Sequence, residues 1–551
     1  MSDTGQIPND PPSIAPEQPP ASQPTLLLAR DGWTALGVGL VALVAYVPLL
    51  APGLLRADMG ELQTLAVTLG YAHPTGYPVY LLVAKAATAI PVGDVPYRVN
   101  LLSALMGAVA AALVVPLGTV LTGRRWIPIA GGLALAFSPT FWSQAIIAEV
   151  YTTAAACTVL VLLGLALWQQ TGRLRWLFAG ACVGGVSLGI HTTVAFMAPA
   201  AVLFVLLHRR RWKANLAAAV AGAATGAAIT LAAFYVIDRA DSPCSYFRTV
   251  INPSRSEWNL ELDDTDDFLE RVWLSITAPQ FQGKLTSQPL KRTAEKAQQY
   301  LENLPREFPP LWLAAAVAGV WRLLRQNAKM SLLLTLTYLA HLVYDLQFDG
   351  IVHVMYISTY VLFAVFGTVG LAWASDGCRR LAAGRGKRRW SAAACDGACA
   401  IAAVAVVVWP MLFAAAWDRE HRRAYWVPPE ELDSVGVEYS TGYHRDVREL
   451  LGKLEDDAVV FTGWCHLYPY YYVALVEQGR TGMEFYIDYV DGFNHPELAD
   501  SAVQFVRHIK QTTPERPIYF THIVRRIAEL YEFEPAHEGL ERLYRVGKPI
   551  E

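Results

Sequence analysis

The chain is poor in charge. Only 17% of its 551 residues are Asp, Glu, Lys or Arg, against about 25% in soluble proteins. The formal net charge of -3 gives no global basic field, so nothing calls for nucleic acid as a partner. Seven Cys in this length, none in a paired CxxC motif, supply neither a disulfide framework nor a zinc signature. No GxGxxG and no P-loop occur, so no nucleotide site can be argued. No repeat with a period of 20–50 residues is evident, which excludes solenoids and propellers. A pair of inverted, interrupted helices, the mark of a secondary transporter, is not evident either.

What is abundant is apolar. Hydrophobic residues make up 54% of the chain and the mean hydropathy is +0.28. The apolar residues fall in runs long enough to cross a bilayer, for which about 20 residues are needed. The runs lie at 33–53, 99–121, 126–145, 150–168, 176–193, 194–207, 214–237, 309–327, 330–345, 352–375 and 392–416, of which 194–207 and 330–345 are short. They predict an α-helical polytopic membrane protein with about eleven transmembrane helices. The Pro-rich residues 1–31 read as a disordered tail, and 32–416 as the transmembrane domain.

The topology turns on Tyr77–Pro91, which is apolar but short, bounded by Pro and interrupted by Lys85. If it lies along the interface instead of spanning, the clusters at Arg124/Arg125, Arg173/Arg175, 208–213, Arg322/Arg325/Lys329 and 379–389 fall on one side. The positive-inside rule makes that side cytoplasmic. Loops 54–98 and 238–308 and residues 417–551 are then extracytoplasmic. In 417–551, strands expected at 456–464, 483–489 and 517–521 alternate with helices at 465–477 and 498–510. This pattern predicts a small α/β domain with a parallel sheet, read as a structural or acceptor-recognition module.

The candidate chemistry clusters in the outer segments. Asp58 and Glu61 are spaced to share one helix face. They read either as a capping box at a helix start or as a base at the membrane surface, where burial raises a carboxyl group's proton affinity. Residues His73 to Pro78 (HPTGYP) form a Pro-constrained turn that positions His73 and Tyr77. Arg98 and Asn100 lie at the outer end of the 99–121 run, where Arg either grips a phosphate or snorkels to headgroups. Glu149, next to Tyr151, is an acid in an apolar setting, and such acids usually face a cavity. His191 is placed to donate to an anion or to serve as a satisfied structural histidine. Asp345, Asp349 and His353 form a further polar group on the same side.

In order along the chain, DMGEL, HPTGYPVY, YRVNLLSAL, FSPTFWSQAIIAEVYT and GIHTT resemble the bacterial multi-span family related to protein O-mannosyltransferases, within the GT-C glycosyltransferase superfamily. The resemblance covers about 33–250 well and 250–375 weakly. It departs from the family's Pro-Pro-Gly pattern at Pro74-Thr75-Gly76. It implies a GT-C-like fold and transfer of a sugar, mannose as the first guess, from a polyprenyl-phosphate donor to a hydroxyl of a protein or glycan on the extracytoplasmic face of the cell membrane. The catalytic acid of the first outer loop matches Asp58, with Glu61 beside it. His73, Tyr77, Arg98, Asn100, Glu149, Tyr151 and His191 are expected to bind the donor phosphate or substrate. No cofactor is firmly implied and no metal triad is evident, although metal dependence varies among GT-C enzymes. The alternative is a polytopic transporter or flippase of lipid-linked sugars, with the acids as a proton relay.

Overall fold

The structure is a computed structural model that describes residues 24–254, 264–279, 288–348, 353–383, 441–488, 498–539 and 542–550, with a few more at 260 and within 401–409. Among them, five helices are long and apolar enough to cross a membrane. These are the segments Gly32–Leu49, Val95–Thr122, Tyr151–Thr171, Trp212–Arg239 and His353–Arg380. In hydrocarbon every backbone N–H and C=O must be satisfied internally, and the helix does this residue by residue. Local sequence sets the ends. The Val95–Thr122 helix starts where the Asp94 side chain accepts from the Tyr97 amide (2.9 Å) with Pro96 in the first turn, and it stops at Gly123, which is left-handed at φ 67°. These are the expected start and stop chemistries. Small residues let helices touch: a Cβ on Gly226 would run into the Cys182 carbonyl of the neighbouring Leu174–Ser187 helix, the close approach that membrane helices favour.

The other apolar runs are divided more finely than their hydropathy suggests. The 126–145 run breaks at Ser138-Pro139 into the helices Ile127–Ala136 and Pro139–Ala145. The break is held by Glu307, a buried acid that accepts from the Ser138 and Thr140 hydroxyls and from the Thr140 amide at 3.2 Å. The 176–207 stretch is the helix Leu174–Ser187, a 3-10 turn Thr192–Met197 and the helix Ala198–Leu206. The short Pro78–Ala87 helix occupies the segment read as non-spanning. Most of the 392–416 run lies outside the described residues.

The C-terminal part carries a five-stranded sheet in the order β2-β1-β3-β5-β4. Strands β1 (Val459–Thr462), β2 (Glu484–Ile487) and β3 (Ile518–Phe520) are the three expected ones, and they pair in parallel. Strands β4 (Tyr531–His537) and β5 (Leu543–Pro549) add an antiparallel edge. One face of the sheet buries Val459, Phe461, Phe520 and Ile518 against Val506 and Ile527.

The other face does not stand alone. Val460 and Phe485 belong to the same apolar cluster as Tyr46 of the first span and Leu62 and Leu65 of the Ala57–Thr68 helix. The seam is the Trp464–Tyr471 helix, which lies against Ala57–Thr68. The Thr64 hydroxyl donates to the Tyr468 carbonyl at 2.9 Å. Gly60 makes room for Pro469, since a Cβ there would stand 2.9 Å from the proline ring. The C-terminal domain is therefore fastened to the first loop.

Candidate active site

The Ala57–Thr68 helix follows the first span, with Arg56 at its N-cap position and no side-chain cap. Asp58 and Glu61 are thus not a capping box. Asp58, in the first turn, has a side chain 47% exposed, whereas Glu61 is fully buried. What makes the buried charge tolerable is the next turn of chain. The Gly76 amide donates to the His73 carbonyl (2.8 Å), with Gly76 at φ 82° and Tyr77 at φ 45°. Left-handed backbone suits Gly, and in Tyr77 it is a local strain of the kind stored at functional sites. This bend returns His73 to the helix. One Glu61 oxygen accepts the His73 amide at 2.7 Å, and the other lies 2.5 Å from His73 Nδ1. On the far edge of the ring, Nε2 lies 3.0 Å from the Tyr77 hydroxyl and 3.9 Å from Asp58 Oδ2.

The electrostatics follow. Burial pushes Glu61 up, and the His73 ring and amide pull it back. Burial pushes His73 down, but the charges of Glu61 and Asp58 outweigh it and raise His73 to about 9. His73 is an imidazolium at neutral pH, with Nδ1–H given to Glu61 and Nε2–H to Tyr77 and, at longer range, Asp58.

The remaining expected residues divide into two groups. Tyr77 stacks on His191 (ring centroids 6.0 Å apart), which also meets Tyr151 at 5.3 Å. The buried His191 Nδ1 accepts from the Thr193 amide at 3.4 Å. The Glu149 charge contributes to raising His73, and the Glu149 backbone is pinned to Ser103, whose hydroxyl donates to its carbonyl at 3.1 Å. These four join Asp58, Glu61 and His73 in one region.

Arg98 and Asn100 make hydrogen bonds within the scaffold. Arg98 spends Nε, Nη1 and Nη2 on the carbonyls of Val92, Thr88 and Gly93, at 2.9, 2.7 and 2.9 Å. The fork braces the turn before its own helix. Arg98→Lys should therefore lower stability by about 1–3 kcal/mol, because a point charge cannot serve three carbonyls. The drop should appear as a lower melting temperature with donor affinity unchanged. Asn100 is fully buried; it donates to the Ala51 carbonyl (2.8 Å) and accepts from Gln63 Nε2 (2.8 Å). Gln63 Oε1 in turn accepts the Leu55 amide at 2.9 Å. This lattice fixes the approach of the chain to Asp58. Asp345 is buried with its carbonyl capped by Lys296 Nζ (2.7 Å), and Asp349 lies outside the described residues.

Two residues near the site escaped the sequence reading. Trp464 Nε1 donates to Asp58 Oδ1 at 2.6 Å. Arg56, two positions before Asp58, lays its guanidinium over the Tyr443 ring at 4.4 Å, and its buried Nε has no hydrogen-bond partner among the described residues. Among the described residues no three His, Cys, Asp or Glu side chains group to hold a metal ion.

The fold is similar to two solved structures of ArnT from Cupriavidus metallidurans. One is bound to undecaprenyl phosphate (TM-score 0.53, 13% identity, 95% of this chain and 97% of that chain covered), and the other is the apo state (TM-score 0.54, 14% identity, 94% and 98% covered). The fold is GT-C-like. Residues 58–215 match the family model of the protein O-mannosyl-transferase TMEM260 N-terminal domain, a segment that opens on Asp58 and closes beyond His191. The mouse protein O-mannosyl-transferase TMEM260 is 34% identical over 179 residues, covering 30% of this chain and 25% of the mouse protein. The Dictyostelium discoideum protein of that name is 24% identical over 178 residues, covering 29% and 22%. The chain matches about a quarter of these relatives' length. The resemblance to the O-mannosyltransferase-related GT-C proteins holds where the motifs of residues 58–191 lie.

Proposed function

We propose that this chain is a membrane glycosyltransferase that moves a sugar, mannose as the first candidate, from a polyprenyl-phosphate donor to a hydroxyl acceptor at the extracytoplasmic face of the cell membrane. The observation that carries the reading is the disposition of Asp58. It is a half-exposed carboxylate on a braced loop, beside a buried His73–Glu61 pair, at the start of the segment that matches the O-mannosyl-transferase domain.

Asp58 takes the acceptor's hydroxyl proton as the oxygen attacks the anomeric carbon. The bond from that carbon to the phosphate oxygen breaks, and polyprenyl phosphate leaves with the electron pair. The growing negative charge needs fixed donors and cations. Arg98 braces the turn before its own helix with three of its five N–H groups, and the cations beside Asp58 are the His73 imidazolium and Arg56. Glu61 keeps His73 protonated and in place. A donor joined through phosphate to a lipid calls for no nucleotide-binding fold, and the similarity to an ArnT structure bound to undecaprenyl phosphate supports a lipid-phosphate donor. With the basic loops cytoplasmic, Asp58 and the C-terminal domain share the opposite side.

The test uses purified full-length protein in nanodiscs with labelled polyprenyl-phosphate mannose, glucose or arabinose and a panel of Ser/Thr peptides and glycans. Label should pass to an acceptor hydroxyl from one donor, with release of polyprenyl phosphate. Movement of intact donor across vesicles without any transfer would favour a transporter instead.

A further inference from the structure

The C-terminal domain reaches Asp58 itself through Trp464. Trp464 opens the Trp464–Tyr471 helix, and its indole is held on three sides. It meets the edge of His73 (5.8 Å between centroids, planes at 86°), Tyr246 (6.1 Å) and Tyr468 (5.5 Å). The helix itself is fixed by the Thr64–Tyr468 bond and by the seat of Pro469 on Gly60. The partly buried ring points its N–H at Asp58 Oδ1, 2.6 Å away. Among the described residues, Asp58 has no other hydrogen-bond donor this close. On the first loop alone, a half-exposed aspartate would rotate freely about its side-chain torsions.

We infer that Trp464 is a positioning residue of this site, holding Asp58 by Oδ1 so that Oδ2, on the His73 side, is presented to the acceptor hydroxyl. The inference rests on Asp58 being the base. It gives the C-terminal domain a part in the reaction: without it the carboxylate is present but unaimed, and loosening of this size costs about 10–100-fold in rate.

Trp464→Phe keeps an aromatic ring against His73, Tyr246 and Tyr468 and removes the N–H. In full-length protein in nanodiscs, carbodiimide labelling of Asp58 at fixed pH, read by peptide mass spectrometry, should rise severalfold relative to Asp456, whose side chain is 90% exposed. With polyprenyl-phosphate mannose as donor and a Ser/Thr peptide as acceptor, kcat should fall at least about 10-fold, with donor KM unchanged. Unchanged labelling of Asp58 would overturn the inference, as would raised labelling with kcat intact. Labelling of the buried Glu61 alongside Asp58 would show that the indole merely packs, and would overturn it too. Asp58→Asn in the same assay separates the two readings. If it still turns over, the base assignment fails and the inference with it. If it is inactive while Trp464→Phe behaves as wild type, the role of Trp464 alone fails.

Discussion

Asp58→Asn is expected to cut sugar transfer by about 10²–10⁴-fold, the usual cost of losing a general base, with little change in melting temperature. The amide matches the carboxylate in shape, and its carbonyl can still accept the Trp464 N–H. Asp58 is 47% exposed, so removing its charge strands no buried partner: His73 keeps Glu61 at 2.5 Å. Activity and stability therefore separate at this residue. Steady-state transfer measured beside a thermal melt checks both, and near-normal turnover would remove Asp58 from the chemistry.

The converse separation is expected at His73. His73→Ala leaves Glu61, fully buried, without its cation and without the Nδ1–H that satisfies it. Removing one member of a buried pair typically costs about 3–5 kcal/mol. Adding Glu61→Gln should recover part of the loss, because the two effects are coupled. The pair also carries a pH signature. His73 is held at about 9, above its ordinary value of about 6.5. Its contribution to stability is thus complete below about pH 6.5 and disappears as the pH rises through about 9, to a total of no more than about 3 kcal/mol. The wild-type melting temperature should fall over that window more steeply than that of His73→Ala. Parallel curves would mean that His73 is neutral in the folded protein.

The parts of the site legible in the sequence are those whose chemistry is local. Asp58, Glu61, His73 and Tyr77 lie within twenty residues, and the Pro and Gly between them announce a turn that brings chain back on itself. The three parallel strands were legible as short apolar runs. Strands β4 and β5 were not, because charged residues, Pro and Gly interrupt their apolar ones and most positions are partly or fully exposed. The bonds from Arg98 to the carbonyls of Thr88, Val92 and Gly93 were not legible, because nothing in the spacing shows which carbonyls the turn brings to it. Glu307 meets Ser138 and Thr140 across some 167 residues, and Trp464 meets Asp58 across 406. No pattern in WCHLYPYYY singles out its first residue, since contacts of this range are set by the fold and not by spacing.

That last separation bears on when the proposed site is completed. Ribosomes deliver the first loop early and the Trp464 helix hundreds of residues later, after every intervening span has been made. Until the late segment arrives on the same side as the early one and seats Pro469 against Gly60, the apolar cluster that joins them has only one of its walls. A chain arrested or misinserted part-way would hold the acid and its histidine but not the aim of the acid. Under the proposed function, competence would in this sense report on assembly, since a segment translated late completes the site.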